Sequence, residues 1–254
     1  MMEMKILRDL LISQHQSDRL YGISIGVVTN NQDPDGLGRV KIRFPWLSEE
    51  VESNWARVLA PMAGKDRGIY FLPEVNDEVL LAFEQGDIRF PYVLGSLWNG
   101  KDKPPETNKD GKNDRRTIKS RSGHRIVLDD SGDKPSIEIV DKTEKNRIFI
   151  DSAKNAMEIK VEGDLSIEIG GDLKIKTKGK IDIDAKQDLA AATKGNLKVK
   201  TSGNSNIESS GSVNIKSKSK VMVEGAQQTQ VKGTTVSING SALAELKGKL
   251  VKIN

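Results

Sequence analysis

His124 stands two residues after Ser122 and one before Arg125. A hydroxyl, an imidazole and a cation so close together are side chains that a hydrolytic triad could use. Its place at the first strand of the shaft described below gives it a structural or exposed role instead. Asp129-Asp130 and Asp182-x-Asp184 are paired acids of the kind that hold divalent cations. They fall in a turn and on an outward strand face, where solvated charge accounts for them. Gly170-Gly171-Asp172 has glycines suited to a phosphate loop but lacks the strand–helix setting. No catalytic, cofactor-binding or metal-binding residue is assigned, no cofactor is expected, and the expected protein is not an enzyme.

The elements that would position such residues form a repeat. From residue 155 the pattern recurs every eight residues, with corner slots at Asn155, Gly163, Gly171, Gly179, Gln187, Gly195, Gly203, Gly211 and Ser219. Two and four residues after a slot come aliphatic pairs: Met157 and Ile159, Leu165 and Ile167, Leu173 and Ile175, Ile181 and Ile183, Leu197 and Val199, Val213 and Ile215, Val221 and Val223. Leu189 with Ala191 and Ser205 with Ile207 are weaker copies. Alternation of period two puts each pair on one strand face and the Lys, Glu, Asp and Ser residues on the other. A Gly followed by Asp or Asn suits a corner, because both tolerate positive φ.

One octad cannot fold alone. Two buried aliphatic side chains stabilise by roughly 1.5–3 kcal/mol each, while ordering each backbone residue costs roughly 1–2 kcal/mol. Facing copies must close the core. A single coil of three octads per turn would impose a longer super-period, and none is visible. Three intertwined chains put every octad in the same environment, which is the pattern observed. Leu165, Ile167, Leu173, Ile175, Ile181, Ile183, Leu197, Val199, Val213 and Ile215 are the expected shaft core. Near the end the glycine register drifts, through Gly225, Gly233, Gly240 and Gly248. The chain stops on Val251, Lys252, Ile253 and Asn254. Val251, Ile253 and Asn254 form an open edge that invites a covering tip partner.

All 11 aromatic residues lie at or before Phe149, and all 8 prolines at or before Pro135. Proline cannot donate to a strand ladder, so its absence later in the chain fits continuous pairing. Residues 155–254 carry 16 Lys, no Arg and 11 acidic residues. That excess keeps a solvated face soluble. Without Arg or aromatic stacking groups there, no nucleic-acid partner is expected. There is no cysteine, hence no disulfide framework. No apolar run is long enough to span a bilayer and no signal peptide is evident, so synthesis in the bacterial cytoplasm is expected.

Residues 3–20 carry an amphipathic helical pattern with Ile6, Leu7, Leu10 and Leu11 on one side. Residues 23–98 read as five or six short strands, the composition of a small barrel. Ile23, Ile25 and Val27 alternate, as do Val40, Ile42 and Phe44, with a turn at Asp33-Pro34-Asp35-Gly36 between them. Further strands are expected around Ala56–Leu59, Gly68–Phe71, Val79–Phe83 and Tyr92–Leu94.

The stretch Gly38-Arg39-Val40-Lys41-Ile42-Arg43-Phe44-Pro45-Trp46 resembles the OB-fold domain of contractile-tail spike proteins. Trp55-Ala56-Arg57-Val58, Asp77-Glu78-Val79, Gly86-Asp87 and Gly95-Ser96-Leu97-Trp98-Asn99 are similar to that family too. Its members include phage baseplate central spikes and the valine–glycine repeat spikes of type VI secretion. Ile118 to Ile126 resembles the start of their shaft, and the likeness extends over about residues 20–254.

The resemblance implies an all-β chain: an N-terminal OB-fold barrel followed by an intertwined trimeric triple-stranded β-helix. The expected division is an arm over 1–20, the OB fold over 21–99, a linker over 100–117 and the spike shaft over 118–254. The implied function is a structural, membrane-piercing central spike, assembled into a virion baseplate or injection particle and delivered to a target envelope. The implied partners are two further copies of the chain, a separate hub protein met by Ile6, Leu7, Leu10 and Leu11, and a PAAR-type tip protein. Some short phage spikes hold iron through His-x-His. His15 and His124 do not form that motif, so no metal is implied. A glycan-binding fibre would need elaborate shaft loops, and a single-chain β-helix enzyme would need a charged cleft; neither is visible.

Overall fold

In the computed structural model residues 19–253 are described. Ile6, Leu7, Leu10, Leu11 and Asn254 lie outside them. Among the described residues almost all regular structure is β, and residues 24–98 form the first sheet. Its strands are β1 (Ser24–Asn30), β2 (Lys41–Phe44), β3 (Ser48–Glu52), β4 (Arg57–Val58), β7 (Glu78–Phe83) and β8 (Pro91–Ser96). A two-stranded ribbon, β5 (Ala63–Gly64) and β6 (Arg67–Gly68), projects between β4 and β7. The order in the sheet is β3-β2-β1-β7-β8-β4, antiparallel except for the β4–β8 pair.

The sheet closes on itself. Val40, just before β2, and Ala56, just before β4, exchange both backbone hydrogen bonds at 3.0 and 2.8 Å. That bridge joins the β4 end of the sheet back to the β2 end and makes a barrel. The interior holds Val28, Val40, Ile42, Phe44, Ala56, Val79, Leu81, Phe83 and Val93.

One orientation is added and one expectation is corrected here. In the Ile23, Ile25, Val27 alternation, Ile23 and Ile25 are exposed, while Gly26 and Val28 face the core. The phase is set by crowding: a Cβ at Gly26 would lie 2.4 Å from Ile42 Cγ2 and 2.7 Å from Leu81 Cδ1. Only glycine fits where the barrel walls approach this closely. The strand expected over Gly68–Phe71 is confined to β6, and Tyr70 and Phe71 are exposed.

A second sheet follows, an antiparallel meander of β9 (Arg115–Lys119), β10 (Arg125–Asp129), β11 (Ser136–Val140), β12 (Arg147–Asp151) and β13 (Ala156–Lys160). Its spatial order is the chain order. Strand β13 contains the first aliphatic pair of the repeat, Met157 and Ile159.

From 161 to 253 no helix or strand is assigned, and the chain bends at a regular interval. The bends fall at 162–163, 170–171, 178–179, 186–187, 194–195, 202–203, 210–211, 218–219 and 226–227, then at 234, 241–242 and 249. The first eight coincide with the corner slots from Gly163 to Ser219. The glycines of these corners do not adopt positive φ. The backbone there is one that any residue can take, which is why Gln187 and Ser219 can occupy the slot. The expectation that left-handed geometry selects glycine at the corners is therefore corrected. The drift near the end is present in the bends as well, whose spacing after 227 is seven or eight residues, with Gly225, Gly233, Gly240 and Gly248 each one residue before its bend.

Candidate functional site

In the barrel the best-anchored polar group is Asp33, at the turn between β1 and β2. Its carboxylate accepts the backbone N–H groups of Asp35, Leu37 and Arg39 at 3.1, 3.0 and 3.2 Å. It also accepts Arg39 Nε and Nη2 at 2.8 and 2.6 Å. The Arg39 guanidinium holds this carboxyl well below the usual carboxylate range, although burial opposes the shift. Arg39 also pairs with Asp35 and lies over the Trp55 ring. The arrangement fixes the loop and leaves no acid or base free for chemistry.

His124 sits in the hairpin between β9 and β10. Its backbone N–H donates to Ser120 Oγ at 3.0 Å, and its Nδ1 accepts the Lys142 N–H at 3.2 Å. These contacts tie two neighbouring turns together. Ser122 Oγ meets Ser120 Oγ, at 3.4 Å, rather than the imidazole. Three of the four paired acids are likewise engaged. Asp129 binds Arg115 at 2.9 Å, Asp130 pairs with Arg116, and Asp182 pairs with Lys180 at 2.6 Å. Among the described residues no three His, Asp or Glu side chains converge as a metal site. No described helix is long and apolar enough to cross a membrane.

The surface that stands out is apolar, and the second sheet begins it. Directly opposed residues share a face, and the register lines up Ile118, Ile126, Ile139, Ile148 and Ile159 in one row across all five strands. A parallel row on the same face carries Leu128, Ile137, Ile150 and Met157, with Arg116 at its end. Ile150 is half-buried, and the other aliphatic residues of both rows remain 37–63 % exposed. The opposite face meets its own needs. Val127 and Val140 are buried there, Arg147 lies 4.5 Å above the Phe149 ring, and Arg147 pairs with Glu138 and Glu158.

The repeat continues the apolar theme. Leu165, Ile167, Leu173, Ile175, Ile181, Ile183, Leu197, Val199, Val213 and Ile215 are all exposed in the single chain, as are Val251 and Ile253. No described residue beyond Lys160 joins a strand ladder.

One signal at the corners escaped the sequence reading. A hydroxyl two residues before the slot accepts the N–H of the slot residue: Thr177 for Gly179, Thr193 for Gly195, Thr201 for Gly203, Ser209 for Gly211 and Ser217 for Ser219, at 3.0–3.2 Å. Such a local bond satisfies a backbone donor at the bend. The Ser/Thr recurrence at that offset was present in the sequence and could have marked the corners.

Residues 24–98 match the family described as the type VI secretion system/phage-baseplate injector OB domain. The type VI secretion system spike protein VgrG1b of Pseudomonas aeruginosa is 32% identical over 143 residues, covering 51% of this chain and 17% of that protein. The type VI secretion system spike protein VgrG3 of Vibrio cholerae is 36% identical over 75 residues, 28% of this chain and 7% of that protein. The actin cross-linking toxin VgrG1 of Vibrio cholerae is 36% identical over 77 residues, 29% and 7% of the two chains. The chain thus spans less than a fifth of the length of these curated relatives.

Proposed function

We propose, from the premise that residues 24–98 belong to the injector OB-domain family of type VI secretion systems and phage baseplates, that this chain is the structural central spike of a contractile injection machine. One observation carries the reading. From 162 to 227, downstream of the injector OB domain, the chain bends every eight residues, and each segment between bends presents aliphatic side chains that no described residue covers. A lone chain gains nothing from that arrangement, because exposed aliphatic surface costs free energy in water.

Three copies wound together convert each exposed pair into a core layer and give every segment a ladder partner. The product is a stiff prism whose outward face is Lys, Asp, Glu and Ser. The work is mechanical and non-enzymatic: the rod transmits thrust into an envelope without buckling. The OB barrel is the collar that meets a separate hub protein, with Ile6, Leu7, Leu10 and Leu11 contributing. Val251, Ile253 and Asn254 meet a PAAR-type tip protein. The particle is assembled after synthesis in the bacterial cytoplasm. No cofactor, metal or nucleic acid enters this mechanism.

Negative-stain electron microscopy of the purified full chain tests the proposal. Rods of uniform length with a wider collar at one end are the expected image. Compact or irregular single particles would overturn it.

A further inference from the structure

One end of the barrel carries rings and aliphatic side chains that face water. At the turn between β7 and β8 the Glu84 N–H donates to Phe90 O at 3.0 Å. Phe83, just before that turn, has its ring 6.0 Å from Phe44, and Phe44 lies 5.6 Å from Trp46 in the turn that follows β2. Tyr21 belongs to the same end, since a Cβ at Gly86 would lie 3.2 Å from its ring. Phe44 and Phe83 are buried, but Tyr21, Ile23, Trp46, Leu47 and Phe90 around them are 48–69 % exposed. Their exposed surface is on the order of several hundred Å², as large a patch as monomeric proteins usually leave uncovered.

The described chain starts at the rim of this patch. The Leu20 N–H donates to Gly86 O at 2.8 Å, Arg19 Nη1 donates to Gln85 O at 3.0 Å, and the Leu20 side chain packs against the barrel core. Residues 1–18 therefore continue from a point anchored beside Tyr21. Their sequence suits the patch. Ile6, Leu7, Leu10 and Leu11 recur at helical spacing and make one apolar side. At about 1.5 Å per helical residue, Ile6 lies within roughly 20 Å of Arg19. A domain the size of the barrel has a radius of gyration of about 11 Å, so a helix of that length crosses its end. Tethering at Arg19 also gives the segment a high effective concentration at the patch, an advantage that no separate partner has.

We propose that residues 3–18 lie back across the end of their own barrel, with Ile6, Leu7, Leu10 and Leu11 covering Tyr21, Ile23, Trp46, Leu47 and Phe90. The gain is the removal of two apolar surfaces from water at once. The four side chains then serve the collar from beneath, and the surface offered to a hub protein is the arm laid over the barrel. The contact lies within one chain and does not depend on the spike reading.

The test uses the full chain and one reporter thiol. Because the chain has no cysteine, Leu47→Cys supplies a single thiol in the patch, and its rate of reaction with a soluble disulfide reagent reads how far the patch is covered. Leu7→Lys with Leu10→Lys puts two charges on the apolar side of the arm. Leu59→Cys, on the exposed segment after β4, is the control site.

The expected result is a rise in the Leu47→Cys rate on the order of tenfold when the arm carries the two lysines, as release of a docked segment gives, with the Leu59→Cys rate unchanged. Equal Leu47→Cys rates with the parent and the altered arm overturn the proposal. If the two lysines also speed the control site, the milder Leu10→Ser decides by the same comparison. A second copy or a neighbouring chain is distinguished by co-expression. Chains with Leu47→Cys and the altered arm are mixed with chains that keep the parent arm and have no thiol. A rate that stays fast in the mixture supports docking within one chain. A rate slowed by the parent-arm chains shows that the arm crosses to a neighbour and overturns it. None of these outcomes bears on whether the octads assemble, which light scattering reads separately.

Discussion

Arg39 reaches back six residues to hold Asp33 with two guanidinium bonds, at 2.8 and 2.6 Å, while three backbone N–H groups converge on the same carboxylate. The folded protein therefore holds the Asp33 pKa below its unfolded value. Above the ordinary carboxylate pKa of about 4 the pair contributes its full stability. As pH falls from there toward the depressed folded value, the unfolded chain binds the proton first and the contribution is lost. Barrel melting followed by tryptophan emission should fall steeply below about pH 4. Asp33→Asn should melt lower than the parent at pH 7, and the gap should narrow on acidification. An equal gap at pH 7 and in acid would contradict the assignment.

Gly26 is a second constraint on the barrel. Gly26→Ala drives a methyl into Ile42 and Leu81, and the expected cost is about 1–3 kcal/mol of barrel stability. Chemical denaturation checks it. Gly95 is a useful comparison, because nothing lies within 4 Å of a Cβ built there.

The periodic bends make deletion informative. Removing residues 171–178 takes out one full interval between corners, so the chain should still assemble with a shaft one unit shorter. Removing residues 171–174 preserves the inward–outward alternation but displaces every later corner by half an interval. That variant should assemble poorly, as read by the yield of trimer in size-exclusion chromatography. Equal tolerance of the two deletions would count against the octad as the structural unit.

Ile175→Asp brings three carboxylates to one level of the proposed core. Uncompensated charge away from water costs on the order of several kcal/mol, so thermal unfolding of the shaft should drop sharply while barrel emission stays unchanged. Lys176→Asp, on the outward face, should change little.

The corner hydroxyls predict a smaller effect. Thr193→Val removes the acceptor of the Gly195 N–H and should cost about 0.5–1.5 kcal/mol per chain. Thr193→Ser should retain the parent melting temperature.

The corners from Gly163 to Ser219 were legible because an eight-residue period leaves little freedom in where a bend can fall. The last bends were not. Gly225, Gly233, Gly240 and Gly248 looked like the corners themselves, whereas each lies one residue before its bend and the interval between bends there is seven or eight residues. The barrel was legible where strands are long, as in Val79–Phe83, and illegible where two residues suffice, as in β4, β5 and β6. Alternation in Ile137 and Ile139 reveals a face but not its neighbours. The two aliphatic rows therefore emerged only with the pairing register, since alternation within one strand does not fix which residue of the next strand lies opposite.

The most direct test of the central claim is the mass of the purified full chain in solution, measured by light scattering across a range of concentrations. The account predicts a single species of three times the 27.9 kDa chain mass, persisting on dilution. A monomer whose shaft segment resists proteolysis would contradict it, because it would mean that one chain can bury the octad pairs alone.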